Sequence, residues 1–108
     1  MSVKPAQMVE LIRQVTDPDP RRRELSADSS VDWLRDYSRS DLLLLAGALS
    51  IAAACEQDPA ALESQLNALV ELGSGGTREA VSLERLRDID KGSLPGNLVE
   101  YLDDLLEL

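Results

Sequence analysis

The feature that most constrains this chain is an uninterrupted apolar run from Leu42 to Cys55, which reads LLLLAGALSIAAAC. As a helix the run would be about 21 Å long, well short of the hydrocarbon thickness of about 30 Å in a bilayer. Asp41 and Glu56 bound it, with no aromatic or basic belt. The run therefore predicts a central helix packed by neighbours on all sides, and no membrane association.

The missing residue types limit both the core and the chemistry. The 108 residues include no Phe and no His, one Trp, two Tyr and one Cys. The core must be built from Leu, Ala, Val and Ile, of which Leu and Ala favour helices. Without His the chain lacks the commonest general base and metal ligand, and one Cys cannot form an internal disulfide. We expect a single domain over residues 1–108, cytoplasmic and without a secretion signal.

Helix signals in the first part of the chain leave one stretch undecided. Proline suits a first helical turn, so residues 5–15 are predicted as a helix that begins at a proline. The DPDP sequence at residues 17–20 ends it, because proline lacks an amide donor. Residues 21–30, RRRELSADSS, are either a short helix or an ordered loop. Ser30 is the predicted N-cap of a helix over VDWLRDY that turns Val31 and Leu34 towards the core, with Trp33 and Tyr37 as further candidates.

The second part of the chain shows clearer boundaries. A helix is predicted from Ser40 or Asp41 to about residue 57, and Asp58–Pro59 caps and opens the next one. Gly73 is predicted to close that helix in a left-handed conformation. Another helix is expected over residues 79–89, with apolar anchors on one side. Asn97 begins a capping-box-like start for the last helix, LVEYLDDLLEL.

These boundaries predict the fold class. The chain has no sustained period-two pattern of apolar residues, so no sheet is expected. We predict an all-α, compact bundle of five to six helices in successive antiparallel hairpins, with HEAT-like local geometry. A short helical-repeat fragment is the alternative, since tandem hairpins also build solenoids.

Three short motifs could indicate a reactive or ligand-binding site, and each has a simpler structural interpretation. Cys55 lies near the C-terminal end of an apolar helix with no His to activate it, so a buried structural cysteine is expected. GSGG at residues 73–76 lacks the Lys-Ser/Thr of a phosphate-binding loop and is predicted as a linker. RRR at residues 21–23 belongs to a chain with a net charge of −9, which nucleic acid would repel. We expect no nucleic-acid partner.

Acidic residues are concentrated after Ala54. That part of the chain has 4 basic and 12 acidic side chains, a net charge of −8 out of the total of −9. The last helix places Glu100, Asp103, Asp104 and Glu107 on its solvent side at i, i+3, i+4 and i+7. The spacing lacks the alternating ligands of a calcium loop, and a solvated face does not tune carboxylates for catalysis. We therefore predict no catalytic residue, no metal and no cofactor.

Acidic groups in the last turn of a helix oppose its dipole, which costs about 0.3–1 kcal/mol each. Asp103, Asp104 and Glu107 are predicted in the last turns of the C-terminal helix, with no Lys or Arg beside them in the sequence. If these residues served solubility alone, they could lie at positions that do not oppose the helix dipole. We therefore predict that they form a docking site for a cationic protein partner. Its expected residues are Glu63, Glu71, Asp88, Asp90, Glu100, Tyr101, Asp103, Asp104 and Glu107, with Tyr101 as an aromatic anchor.

The phrases DPAALESQLNALVEL and LVEYLDDLLEL carry a resemblance over residues 40–108. They are similar to small acidic all-helical immunity proteins of bacterial polymorphic and contact-dependent toxin systems. The resemblance implies a cytosolic, non-enzymatic inhibitor that occludes a toxin domain, often a nuclease with a basic surface. The alternatives are an adaptor that oligomerises or bridges protein partners, and, much less favoured by the sequence, an enzyme.

Overall fold

Five α-helices make up most of the part of the chain that the structure describes. A computed structural model describes residues 2–74 and 86–106. The helices are α1 (Pro5–Val15), α2 (Pro20–Asp32), α3 (Arg39–Cys55), α4 (Pro59–Ser74) and α5 (Gly96–Leu106), with 3-10 turns at Leu34–Asp36 and Lys91–Ser93. The predicted all-α bundle is confirmed. Most of the helix expected over residues 79–89 lies outside the described residues. No described helix combines the length and the apolarity needed to cross a bilayer.

The centre of the bundle is α4, which packs against α2, α3 and α5. By contrast, among the described elements α3 packs mainly on α4 and α1, and Leu44 and Ile51 remain 56% and 49% exposed. The prediction that the apolar run is packed on all sides is wrong. The apolar run of α3 has no stripe of polar residues that would mark a solvent-facing side. The sequence of α3 alone therefore does not show which face of the helix is outward. The apolar stripe of α4 is buried at Leu62, Leu66, Leu69 and Leu72.

The stretch that the sequence left undecided is α2, and it begins in the same way as α4. The Asp19 carboxylate accepts a hydrogen bond from the Arg21 amide at 2.9 Å, directly before the first-turn Pro20. The Asp58 carboxylate accepts one from the Ala61 amide at 2.9 Å, again directly before a proline. Both aspartates satisfy amides that have no partner within their helix. The second Asp-Pro pair of DPDP therefore starts a helix.

Extending α2 to Asp32 changes the role of Ser30. The residue lies buried inside the helix, where its hydroxyl donates to the Ala27 carbonyl at 2.6 Å, so the prediction that it is an N-cap is wrong. Its carbonyl accepts a hydrogen bond from the Tyr37 hydroxyl at 2.8 Å. Burial, together with the nearby charge of Asp41, raises the pKa of Tyr37 to about 12. Tyr37 reaches the core as expected, whereas Trp33 is 44% exposed and does not.

α1 has the predicted bounds and α4 begins where predicted, whereas other helix ends differ from the predicted ones by one or two residues. α3 begins at Arg39, because Ser38 and Asp41 form a reciprocal capping box before it. Gly73, predicted as a left-handed cap, lies inside α4, and that prediction is wrong. Asn97 also lies inside its helix, since α5 begins one residue earlier. Frayed ends make such boundaries the least predictable part of a helix.

A buried polar junction holds α2 to the connection between α3 and α4. Arg23 donates to Glu56 from Nε at 2.7 Å and from Nη2 at 2.8 Å, and the Glu56 side chain is 1% exposed. Gln65 of α4 donates to the same carboxylate at 2.8 Å. Burial alone would raise the pKa of Glu56, but the hydrogen bonds from Arg23, Gln65 and the Asp58 amide hold it below the ordinary 4.5.

Candidate docking site

A polar hollow of about 380 Å³ lies against α2, α4 and α5. Of the described residues that line it, three are acidic, none is basic and one is aromatic. They are Glu24 and Asp28 of α2, Ala60, Glu63, Ser64 and Asn67 of α4, and Tyr101 of α5. We refer to this surface as the acidic hollow. Its concave shape gives a cationic side chain several carboxylate acceptors within one site.

Helical spacing explains why these residues meet. Glu24 and Asp28 are four residues apart, so they share one face of α2. The lining residues of α4 run from Ala60 to Asn67 at i, i+3, i+4 and i+7, which is again one face. The leucines of α4 point elsewhere, into the core. Because α2 and α5 both pack on α4, each contributes side chains beside the same polar stripe.

The charges of the acidic hollow are only partly compensated. Arg21 pairs with Glu24 and also with Asp58. Within residues 2–74 and 86–106, neither Asp28 nor Glu63 forms an ion pair. The oxygens of these two carboxylates can accept hydrogen bonds from a cationic group.

Of the eight predicted docking residues that the structure describes, the acidic hollow brings together two, Glu63 and Tyr101. Four others are exposed and do not line it: Glu71, Asp88, Glu100 and Asp104. Glu107 lies outside the described residues. The predicted surface is thus wider than the concavity that the helices form.

Asp103 and Asp90, both predicted docking residues, have partners within the chain. Asp103 pairs with Lys91 Nζ at 2.5 Å, so the expectation that no basic group lies beside it is wrong. Lys91 is twelve positions away in the sequence, and only the packing of the 3-10 turn brings it to α5. Asp90 accepts a hydrogen bond from the Gly92 amide at 3.0 Å and caps that turn.

Glu24 and Asp28 were not among the predicted docking residues, because the sequence of the stretch that contains them is compatible with either a helix or a loop. A signal was present, since Asp19–Pro20 repeats the pattern of Asp58–Pro59 that correctly located α4. Extending a helix from that cap would have placed both carboxylates on one face. Their position opposite Glu63 depends on tertiary packing and was not accessible from the sequence.

Cys55 is exposed, so the prediction of a buried structural cysteine is wrong. It lines a second hollow of about 490 Å³ together with Ile51, Arg23 and Glu56. The carboxylate and guanidinium there are already paired with each other. Among the residues that the structure describes, no group of three or more His, Cys, Asp or Glu side chains is placed to hold a metal ion.

No protein-family model matches the chain, and comparison with curated proteins and with solved structures gives no significant match.

Proposed function

We propose that the chain is a non-enzymatic inhibitor that binds a basic protein domain, in line with its resemblance to bacterial immunity proteins. The observation that carries the proposal is the acidic hollow, in which carboxylates from α2 and α4 stand beside an aromatic side chain of α5. A chain with a net charge of −9 would be drawn to a basic partner before contact is made.

The acidic hollow suits a lysine or arginine side chain of the partner. Asp28 and Glu63 would accept its hydrogen bonds, and neither carboxylate is in an ion pair with another described residue. Tyr101, which is half-buried, would pack against the aliphatic stem or the guanidinium plane. Such an anchor contributes mainly to slow dissociation, whereas the surrounding charge speeds association.

A nuclease is the toxin class that fits this surface best. Nucleases bind phosphate backbones through clustered Lys and Arg side chains. An acidic inhibitor that covers those side chains would exclude the substrate without touching the catalytic chemistry. The proposed mechanism is occlusion, with charge complementarity selecting the partner.

The gene neighbourhood is the first test. A reading frame immediately upstream that encodes a large secreted protein with a variable C-terminal domain would supply the toxin. That purified domain is then the binding probe, and its association rate is measured against salt concentration. For wild type we expect fast association at low salt and a steep decline as salt rises. The lack of any such neighbour, or of binding to its domain, would contradict the immunity function.

Charge-reversal variants locate the surface. Asp28→Lys and Glu63→Lys should each slow association about tenfold at low salt and much less at high salt. Glu10→Lys is the matched control, because it makes the same change of net charge on an exposed residue of α1 outside the acidic hollow. An equal loss in the control would show that overall charge, not the acidic hollow, governs binding.

A second candidate function, an adaptor that bridges protein partners, is favoured by a different observation. α3 exposes the large apolar side chains Leu44 and Ile51, which is more typical of an interface than of a solvated surface. Toxin neutralisation by the chain distinguishes the two: an adaptor would bind partners without inhibiting the upstream toxin domain.

A further inference from the structure

The side chains of α2 contribute little apolar area to the contact between α2 and α4. The buried residues of α2 are all small, namely Ser26, Ala27 and Ser30, and its one leucine, Leu25, is 64% exposed. The two serine hydroxyls donate to carbonyls within α2 itself, so these bonds do not connect α2 to α4. Since apolar burial is the main favourable term in helix packing, α2 needs another source of attachment.

Arginines in the first turn of α2 supply that attachment. Arg23 pairs with the buried Glu56 at 2.7 Å, and its Nη1 also donates to two carbonyls of the connection between α1 and α2, at 2.7 and 3.0 Å. Arg21 pairs with Asp58, which caps α4. We refer to Arg21 and Arg23 as the arginine clip, because together they fasten the start of α2 to the connection between α3 and α4.

The other end of α2 is held by the core. Val31 and Leu34 pack against the core cluster, and the Tyr37 hydroxyl donates to the Ser30 carbonyl at 2.8 Å. The buried side chains between this end and the arginine clip are small. α2 is therefore fastened at its two ends, and charged groups fasten the first of them.

We propose that α2 opens from α4 as a unit while α3, α4 and α5 stay packed, and that the arginine clip sets how often it opens. A buried ion pair adds less net stability than well-packed leucines, because both charges must lose their water. α4 and α5, by contrast, contact each other and bury Leu66, Leu69 and Leu102 completely. Regions that bury little apolar surface open at a lower free energy than the rest of a domain.

Opening of α2 would take the acidic hollow apart. Two of its three carboxylates, those of Glu24 and Asp28, belong to α2, whereas Glu63 belongs to α4. A partner that contacts both helices would therefore favour the closed position of α2. This consequence rests on the proposed function. The opening itself does not, and it is tested on the chain alone, so a failure of either idea leaves the other to be judged separately.

Native-state amide hydrogen exchange tests the proposal. In the wild-type chain, the amides of Ala27 and Ser30 should exchange about tenfold or more faster, relative to their intrinsic rates, than those of Leu66 and Leu69 in α4. Exchange in α2 should also depend less on urea concentration, because opening exposes less surface than global unfolding does. Equal protection of the two helices, or equal urea dependence, would overturn the proposal, since the chain would then open only as a whole.

Leu105→Ala separates the opening of α2 from global unfolding. Leu105 is fully buried on α5, which packs on α4, so its truncation should speed exchange in α4 about tenfold or more. Exchange in α2 should stay within about twofold of wild type, because α3, α4 and α5 remain packed when α2 opens. If α2 speeds up as much as α4, the proposal is wrong. Should this variant fail to fold, the urea dependence of the wild-type chain decides.

Arg23→Gln and Arg22→Gln test the arginine clip, because they remove the same charge from adjacent positions of α2. Arg23→Gln leaves Glu56 buried without its charged partner and should speed exchange in α2 about tenfold or more. Arg22→Gln is the matched control, since Arg22 is 69% exposed and lies 3.6 Å from Asp17, and it should leave exchange unchanged. Equal exchange rates in the two variants would refute the role of the arginine clip.

Discussion

α3 and α4 are adjacent helices of 17 and 16 residues, yet they bury their side chains very differently. The uninterrupted apolar run belongs to α3, but α4 forms the centre of the bundle and α3 lies at its side. α4 has a polar stripe with Glu63 and Asn67, and that stripe fixes which way its leucines point. The comparison shows that a helix is placed by the contrast between its faces, and that surplus apolar surface on α3 is available for another contact.

Truncation of a leucine on α3 and of one on α4 should give the largest difference in the free energy of unfolding. Leu66→Ala on α4 should lower the free energy of unfolding by about 3 kcal/mol, because the side chain is fully buried and would leave a cavity. Leu44→Ala on α3 should change it by less than about 0.5 kcal/mol, because that side chain is largely solvated. Urea denaturation at high dilution measures both. Similar losses would mean that α3 is buried after all.

The second-largest loss of stability is expected at the buried polar junction that connects α3 and α4 to α2. Glu56→Gln should cost about 2 kcal/mol, because Arg23 loses its charged partner in a largely buried site. Glu10→Gln is the control, since the Glu10–Arg13 pair is exposed at both ends and should contribute close to nothing. If the two variants unfold at the same denaturant concentration, the junction is not what holds the helices together.

Acid should weaken the same junction. The pKa of Glu56 is lower in the fold than its ordinary 4.5, so the folded chain releases this proton more readily than the unfolded one. The resulting stabilisation is complete well above pH 4.5 and is lost as pH falls through the lower folded pKa. The hydrogen bond from the Ala61 amide, with Arg21, likewise keeps the pKa of Asp58 below 3.8 despite burial.

Denaturation curves recorded from neutral to acidic pH should therefore show stability falling below about pH 4.5. Glu56→Gln should make that decline shallower, leaving mainly the contribution of Asp58 and other carboxylates. A variant with the same acid slope as wild type would show that Glu56 titrates normally in the fold.

The smallest expected effect concerns α3 alone. Gly47→Ala should raise the free energy of unfolding of the monomer by about 0.5–1 kcal/mol, because alanine favours helix and its Cβ meets open space. The measurement is chemical denaturation at high dilution. A loss of stability would mean that something within the chain already occupies the space beside Gly47.

Local signals predicted more of this fold than they did of its surfaces. The all-α class, α1 and the start of α4 followed from prolines, caps and apolar spacing, and the same signals at Asp19–Pro20 were sufficient for α2. The exposure of Cys55 and Ile51 was not predictable, because nothing in a uniformly apolar run marks its outer face. The pairing of Lys91 with Asp103 and the meeting of Asp28 with Glu63 depend on how helices pack, which local pattern does not encode.

The position of α4 in the chain order has a consequence for synthesis. Since α2 and α3 both pack on a helix that follows them, neither can complete its packing until translation has passed Ser74. Until then the emerging polypeptide carries a bare stretch of leucine and alanine of the kind that chaperones cover. Ribosome-stalled chains that end before and after the fourth helix should differ sharply in resistance to protease, and equal resistance would show that the earlier helices consolidate without it.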